Sequence, residues 1–158
     1  MPIASFSDYN CPFCKVLTQK LAALEDAGGV SVTWHEWPLL GEASMQAAQA
    51  ALAADAQGAY AAFHKRLMRS RFRPTPEYLR EIARSLDIDA DRMLSDMASA
   101  AVAKRLADTA ALSSIFGFPG TPALVVGRTV VVGAISDATL AALVEQERRD
   151  GPPEVCNA

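Results

Sequence analysis

Two cysteines near the start of the chain, Cys11 and Cys14, are separated by Pro12 and Phe13 in the stretch NCPFCK. Cysteines with this spacing can form a reversible disulfide, supply half of a zinc site, or lie in the core as two unreactive thiols. Zinc needs four ligands, and neither histidine of the chain stands at a suitable spacing from the pair. Redox chemistry is therefore the leading hypothesis, and a copper or zinc carrier is the alternative from a different functional class.

The residues around the pair predict a helix between two strands. Residues 3–7 alternate apolar and polar side chains, and residues 30–38 are rich in β-branched and aromatic side chains. Between them, leucines recur at the spacing of one helix face. Pro12 suits the first helical position, because no intrahelical N–H bond is formed there. The cysteine pair is therefore predicted at the start of the first helix of a β-α-β unit.

The rest of the chain predicts a helical block followed by a hairpin and a last helix. Residues 43–115 show helical patterns and no strand signal. Strand signals return at 123–126 and 129–133, joined by a Gly-Arg turn typical of a hairpin. Ser136 can cap the final helix. The predicted order is therefore β-α-β, a helical block, and β-β-α.

The predicted position of the pair suits disulfide exchange, because a thiolate rather than a thiol attacks a disulfide. Cys11 stands where the helix begins, so the helix dipole and the free N–H groups favour negative charge on its sulfur. Cys14, one turn later, is expected to be more buried and to resolve a mixed disulfide. Pro12 offers no N–H to the sulfur of Cys11, and Phe13 offers an apolar contact to a bound polypeptide.

A second motif, Gly-Thr-Pro at 120–122, stands directly before a predicted strand. Without the helical block, the order of elements is that of the thioredoxin fold, in which Thr or Ile followed by a cis-proline faces the C-x-x-C pair. With the block, the chain resembles the DsbA family of thiol-disulfide oxidoreductases, most closely the small single-domain bacterial members of the ScsC-like type. The likeness runs from residue 3 to about residue 148. It is carried by FSDYNCPFCK, WPL, FHKRLM, and GFPGTPALVVG followed by VVGA.

This resemblance implies an α/β, thioredoxin-like fold with an all-helical insertion. Residues 1–40 and 116–149 would form the thioredoxin-like domain, residues 41–115 the insertion, and residues 150–158 a tail.

The resemblance also implies a role for each residue of the two motifs. Cys11 would be the nucleophile and Cys14 the resolving thiol, with Thr121 and a cis Pro122 forming the loop that binds an extended substrate strand. No dissociable cofactor would be required, because the cysteine pair is itself the redox group. The substrates would be cysteines of other proteins, and a redox partner protein would recycle the pair. The implied compartment is a bacterial periplasm, with a leader missing from this chain, and a cytoplasmic location is the alternative.

Two residues depart from the pattern of the family's well-studied oxidases. Those proteins carry a Glu six residues before the first cysteine, where this chain has Ser5. Their cis-proline usually follows Val, whereas here it follows Thr121, as in relatives with reductase or isomerase roles. An oxidase is therefore the first expectation, and a disulfide isomerase or reductase of the same fold is the alternative.

Composition excludes several other classes. The chain has 158 residues, of which 51% are hydrophobic and 21% charged, so one domain with a real core is expected. A net charge of −3, with no block of Lys and Arg, argues against nucleic acid as a partner. The longest apolar stretch, residues 122–135, is too short and too interrupted to insert into a membrane. We expect a monomer, because no assembly segment precedes the first strand.

Other candidate residues have simpler interpretations. Glu36 could move protons for Cys14, but a solvated residue at a strand end is the favoured interpretation. His64 is interpreted as a structural histidine beside a core-facing phenylalanine. Cys156 is interpreted as an unpaired bystander in the tail, with an intermolecular disulfide as the alternative. The remaining candidates are aromatic residues expected in the core or along a substrate groove, namely Trp34, Trp37, Phe13, Phe116 and Phe118.

Overall fold

The computed structural model describes residues 1–151, which form one mixed sheet and seven α-helices. The elements before the hairpin are β1 (Pro2–Ser7), α1 (Pro12–Asp26), β2 (Ser31–Glu36), α2 (Glu42–Ala54), α3 (Tyr60–Arg69), α4 (Pro76–Ser85), α5 (Ala90–Asp96) and α6 (Ala100–Ile115). A short 3₁₀ turn, Asp55–Gln57, joins α2 to α3. The chain continues with β3 (Ala123–Val126), β4 (Thr129–Val132) and α7 (Asp137–Asp150).

The four strands lie in the order β2-β1-β3-β4. β1 is parallel to β2 and antiparallel to β3, and β4 is antiparallel to β3. The register places Ser7 opposite Glu36 and Phe6 opposite Ala123. This arrangement confirms the predicted thioredoxin-like order of strands. It also brings the end of β1, which leads to the cysteine pair, beside the start of β3, which follows the Gly-Thr-Pro motif.

The sheet is covered on both faces, as the nearly continuous burial of side chains along β1 requires. On one face, residues from α1 and α7 pack against the strands in a cluster that includes Ile3, Leu17, Leu21, Leu124, Val126, Leu140 and Val144. The other face is a smaller cluster formed by Phe6, Phe118 and Ala123, with Trp37 and Leu112 packed against it. Trp34 packs against the first cluster, so both tryptophans contribute to the core as expected.

The helices between β2 and β3 surround α2, whose seven alanines are all buried. Those with relative exposure of 1% or less are Ala47, Ala48, Ala50, Ala51, Ala53 and Ala54. Residues of α3, α4, α5 and α6 all contact α2. Because alanine has no side chain beyond Cβ, several helices can approach α2 closely. The alanine-rich pattern therefore reflects packing on several sides of α2 as well as helix propensity.

Glu36 joins this helical block to the sheet. The side chain is only 2% exposed, although the residue ends a strand. The hydroxyls of Tyr9 and Tyr60 each donate to its Oε1 at 2.6 Å. Nδ1 of His64 lies 3.1 Å from the same oxygen and 2.8 Å from the hydroxyl oxygen of Tyr9. One side chain from the turn before α1 and two from α3 therefore converge on one carboxylate oxygen.

Two atoms of this cluster are left without a hydrogen-bond partner in the described part of the chain. Nε2 of His64 and Oε2 of Glu36 have no hydrogen-bond partner within residues 1–151. The expectation of a solvated strand end at Glu36 was wrong, because the helical block covers that end of β2. His64 is a structural histidine as expected, but one of its two ring nitrogens is unpartnered.

The tail predicted at residues 150–158 overlaps the last helix by one residue. Asp150 is the last residue of α7, which Ser136 caps by accepting a hydrogen bond from the Thr139 N–H, as predicted. Cys156 and the rest of residues 152–158 lie outside the described residues.

Replacing Ala51 by Leu should destabilise the protein. Ala51 is fully buried on α2, so the three added carbons must displace neighbouring helices. We expect the free energy of unfolding to fall by about 1–3 kcal/mol, measured by urea denaturation. The matched control is Ala62→Leu on the exposed face of α3, which should change stability by less than about 0.5 kcal/mol. Equal stability of the two variants would contradict the packing described for α2.

The tyrosines that bind Glu36 should make the protein sensitive to alkali. Burial, reinforced by the Glu36 charge, raises the pKa of Tyr9 and Tyr60 well above 10.0 in the folded state. Between pH 10.0 and the folded pKa, the unfolded chain has released these protons and the folded chain has not. The contribution of these tyrosines to the free energy of unfolding is therefore fully present below pH 10.0. It should decrease as the pH rises above that value.

Tyr60→Phe separates this effect from general alkaline unfolding. Loss of a donor to a carboxylate should lower the free energy of unfolding at pH 7 by about 1–3 kcal/mol. Above pH 10.0 the decline should be shallower than in the wild type, because one of the two shifted tyrosines is gone. Tyr78→Phe is the control at pH 7 and should change stability by less than about 0.5 kcal/mol. A decline of unchanged steepness in Tyr60→Phe would contradict this account.

Candidate active site

Cys11 is the N-cap of α1, the position at which the first helical N–H groups lack partners. Its backbone is extended, with φ −80° and ψ 114°, and Pro12 begins the helix. The backbone N–H of Cys14 donates to the Sγ of Cys11 at 3.2 Å. The sulfur thus takes the place of the oxygen with which Ser, Thr or Asp usually caps a helix. This N–H and the positive end of the helix dipole both lie at the Cys11 sulfur.

Cys14 lies one helical turn further on and is completely buried. Burial is the main cause that raises the pKa of the Cys14 thiol, and the contact with the Cys11 sulfur adds to it. The backbone of Asp8 and the side chain of Thr121 act in the opposite direction, but they are weaker. Both cysteines are free thiols in the structure, so it represents the reduced state.

Thr121 and Pro122 face the cysteine pair from the other half of the chain. The thiol of Cys11 donates to the Thr121 carbonyl at 3.8 Å, across 110 residues of sequence. The peptide bond between Thr121 and Pro122 is cis. The Pro122 carbonyl accepts a hydrogen bond of 2.8 Å from the N–H of Gly133, which anchors the loop at the end of the hairpin. The two motifs that the sequence singled out are therefore brought together in space.

The aromatic candidates divide between the surface and the core. Phe13 is 61% exposed on the first turn of α1, where Pro12 is also exposed. Phe118 is buried against Phe6, whereas Phe116 is 42% exposed and stacks on Phe118 with 5.3 Å between ring centroids. Phe118 is therefore mainly a packing residue, and Phe13 and Phe116 are available to a bound polypeptide.

Asp8 is the residue of this site that the sequence analysis missed. Its carboxylate is 1% exposed, and Oδ1 accepts from the N–H of Asn10 and the hydroxyl of Ser44, both at 2.7 Å. Oδ2 accepts from the N–H groups of Leu39 at 2.7 Å and Leu40 at 2.9 Å. An Asp whose side chain binds the N–H two residues later is a common turn signal, so the stretch DYN could have indicated part of this role.

The backbone of Asp8 completes the turn that leads into α1. Its carbonyl accepts from the N–H of Cys11 at 3.1 Å. Ser5, which stands where the well-studied oxidases have Glu, is buried in β1 between Trp34 of β2 and Leu124 of β3. The acidic residue nearest in sequence to the cysteine pair is Asp8, and all four hydrogen bonds of its carboxylate hold the surrounding loops in place.

The described residues contain neither a group of three metal ligands nor a helix that could span a membrane. Within residues 1–151, no three side chains of His, Cys, Asp or Glu are grouped closely enough to hold a metal ion. No helix in the same range is long and apolar enough to cross a bilayer.

Residues 2–145 match the family model described as a DSBA-like thioredoxin domain. Among curated proteins, the chain is 32% identical over 123 residues to the Na(+)/H(+) antiporter NhaA 3 of Salinispora tropica. That match covers 74% of this chain and 19% of the antiporter, so the chain matches only about a fifth of that relative's length.

Solved structures of similar proteins cover nearly the whole chain. A thioredoxin-like oxidoreductase from Silicibacter pomeroyi has 37% identity and a TM-score of 0.88, covering 94% of this chain and 86% of its own. The thiol-disulfide exchange protein alpha-DsbA2 from Wolbachia pipientis has 26% identity and a TM-score of 0.84, covering 92% and 80%. ScsC from Proteus mirabilis, in a compact conformation, has 29% identity and a TM-score of 0.82, covering 93% and 82%. The chain therefore belongs to the DSBA-like thioredoxin domain family, a family of thioredoxin-fold oxidoreductases.

Proposed function

We propose that this protein oxidises pairs of cysteines in other proteins by transferring the Cys11–Cys14 disulfide to them. The observation that carries the proposal is the placement of the Cys11 sulfur. It receives the Cys14 N–H at the start of α1 and lies against the carbonyl of Thr121. The Cys14 N–H donates to the sulfur of reduced Cys11, and a stabilised reduced form makes a disulfide a stronger oxidant.

The reaction begins with the oxidised pair and a client thiolate. The client sulfur attacks the Sγ of Cys11, the Cys11–Cys14 bond breaks, and Cys14 leaves and takes up a proton. A second client thiolate then attacks the client sulfur of the mixed disulfide and releases Cys11. The client loses two electrons and two protons overall and gains a disulfide, and the pair becomes a dithiol. No dissociable cofactor enters the reaction.

The environments of the two cysteines favour this direction. Cys11 is the better leaving group, because the helix N-terminus stabilises its thiolate. Burial raises the pKa of Cys14, which keeps it protonated and slows its attack on the mixed disulfide. That attack would return the client in its reduced form. Both features support release of an oxidised client from the mixed disulfide.

The surroundings of Cys11 suit a polypeptide client. The exposed Phe13 offers an apolar contact beside the reactive sulfur. The backbone of Thr121 can pair with an extended client segment that brings a cysteine to Cys11. After each turnover a redox partner protein must reoxidise the pair. Because disulfides form and persist in oxidising compartments, we place this activity in a bacterial periplasm.

A disulfide reductase or isomerase is the second candidate function, and Thr121 is the observation that favours it. The resemblance to the DsbA family associates Thr at this position with relatives that reduce or isomerise disulfides. Such a protein would use the same cysteines, with Cys14 attacking the mixed disulfide. The two candidates therefore differ in reduction potential rather than in site residues.

The equilibrium reduction potential of the Cys11–Cys14 pair separates them. In glutathione buffers we expect a value nearer to about −120 mV, that of a strong protein oxidant, than to about −270 mV, that of thioredoxin. A value near the lower figure would replace the oxidase by the reductase. If no intramolecular disulfide formed at any glutathione ratio, redox chemistry would fail and a copper or zinc carrier would become the leading hypothesis.

Single cysteine variants test the assigned roles. We expect Cys14→Ser to accumulate a mixed disulfide with an oxidised model peptide, because Cys11 can attack and no thiol resolves the product. Cys11→Ser should form at least about tenfold less, since Cys14 is completely buried. Both variants should carry Cys156→Ser, and Cys156→Ser alone, with the pair intact, is the control. Mass spectrometry after alkylation measures the adducts, and equal trapping by both variants would contradict the roles of nucleophile and resolving thiol.

A further inference from the structure

Five of the nine residues from 65 to 73 are basic, and we call this stretch the basic segment. They are Lys65, Arg66, Arg69, Arg71 and Arg73. No Asp or Glu occurs between residues 56 and 76. The whole chain has a net charge of −3, so a segment of +5 leaves −8 on all other residues. These cations do not form an uninterrupted block of Lys and Arg in the sequence, because apolar and small residues separate them.

All five cations are exposed, and none forms an ion pair within residues 1–151. Arg66 and Arg69 lie in the last turn of α3, where positive charge stabilises a helix end. Arg71 and Arg73 lie beyond the helix, so stabilisation of the helix end does not explain their positive charge. Their charges are unopposed by any neighbouring acid in sequence, and they add to the field of the other three.

The basic segment is tied to the redox helix. Lys15, the residue after Cys14, donates from Nζ to the Ser70 carbonyl at 2.7 Å, and its own N–H binds the Cys11 carbonyl. The hydroxyl of Ser70 accepts from the Phe72 N–H at 3.0 Å, which braces the loop. One hydrogen bond, from Lys15 to Ser70, therefore connects the loop that carries Arg71 and Arg73 to the helical turn that follows Cys11.

Phe72 adds an apolar contact between the cations. Its side chain is 72% exposed, and its ring packs edge-on against Tyr78 with 5.7 Å between centroids. A large apolar side chain held at the surface amid unpaired cations is suited to a polypeptide that carries both acidic and apolar residues. The basic segment therefore resembles a docking surface more than a solvated loop.

We propose that the basic segment binds acidic residues flanking the reactive cysteine of a client and thereby selects clients by charge. This inference rests on the proposed function. A client held at Cys11 brings its neighbouring residues over the Lys15–Ser70 contact and onto the cations. Attraction between opposite charges raises the rate of association, and salt weakens it.

A short acidic polypeptide fits this surface better than an anionic membrane does. Charges separated by more than about 10 Å are largely screened at 0.1 M salt, so a short segment senses mainly the five cations. A flat membrane surface would also face more of the remaining chain, whose residues sum to −8 over the whole protein. Repulsion by these residues would oppose binding, and Phe72 alone offers little apolar area to insert.

The test uses the full oxidised protein and three dithiol peptides that are identical except for four residues flanking the cysteines. These residues are Glu, Gln or Lys. Second-order rate constants for peptide oxidation are measured by acid quench and chromatography in about 20 mM and about 500 mM salt. At low salt we expect the Glu peptide to react at least tenfold faster than the Lys peptide. At high salt the ratio should fall below about threefold.

Charge reversal locates the effect. Arg71→Glu with Arg73→Glu should abolish or invert the preference and leave the rate of the Gln peptide within about twofold. Neither residue lies in a helix or an ion pair of the described residues, so the fold should be retained. The matched control is Arg84→Glu with Arg149→Glu, which makes the same change in net charge at exposed residues outside the segment. It should keep the preference for Glu.

The outcomes separate this inference from the proposed function. Three equal rates, or an unchanged preference in the Arg71 and Arg73 variant, would overturn the inference while leaving the oxidase intact. If the wild type oxidised none of the peptides, the proposed function would fail and the inference would fail with it. Binding to vesicles of phosphatidylglycerol and phosphatidylcholine that depends on Arg71 and Arg73, with no peptide preference, would assign the segment to a membrane instead.

Discussion

The buried carboxylate of Asp8 is the constraint on which the active-site geometry depends. A carboxylate shielded from water is tolerated only where hydrogen bonds replace its hydration. Here the four donors come from the turn before α1, from the connection after β2 and from Ser44 in α2. These segments must therefore assemble together around one group. Because the Asp8 carbonyl also binds the N–H of Cys11, the same assembly fixes where α1 begins and where the reactive sulfur lies.

The helical block is consequently part of the redox site rather than an appendage to the sheet. It supplies Ser44 to Asp8, Tyr60 and His64 to Glu36, and the Ser70 carbonyl to Lys15. These contacts reach the turn before the cysteines, the helix that carries Cys14 and the end of β2. Loss of order in the block would therefore alter the cysteine pair as well as the surface around it. This coupling explains why polar groups are kept in an interface where apolar packing would be simpler.

The sequence allowed prediction of those features that depend on local signals. Periodicity and turn residues predicted the β-α-β unit, the start of α1 at Pro12 and the hairpin. The resemblance to the DsbA family predicted how these parts form one fold. The burial of Glu36 could not be predicted in this way, because its partners lie 24 to 28 residues away in sequence. The basic segment was missed for a different reason. Its cations are separated by apolar and small residues, and the structure shows that all five are exposed.

The direction of electron flow depends on where protons can go. When a client is oxidised, Cys14 leaves the disulfide and gains a proton, which burial favours by raising the pKa of its thiol. When the pair is reoxidised, Cys14 must lose that proton again. Ser5 offers no carboxylate to accept it, and the Asp8 carboxylate is occupied by four hydrogen bonds. In the proposed oxidase cycle, the burial that keeps Cys14 protonated would therefore oppose reoxidation of the pair.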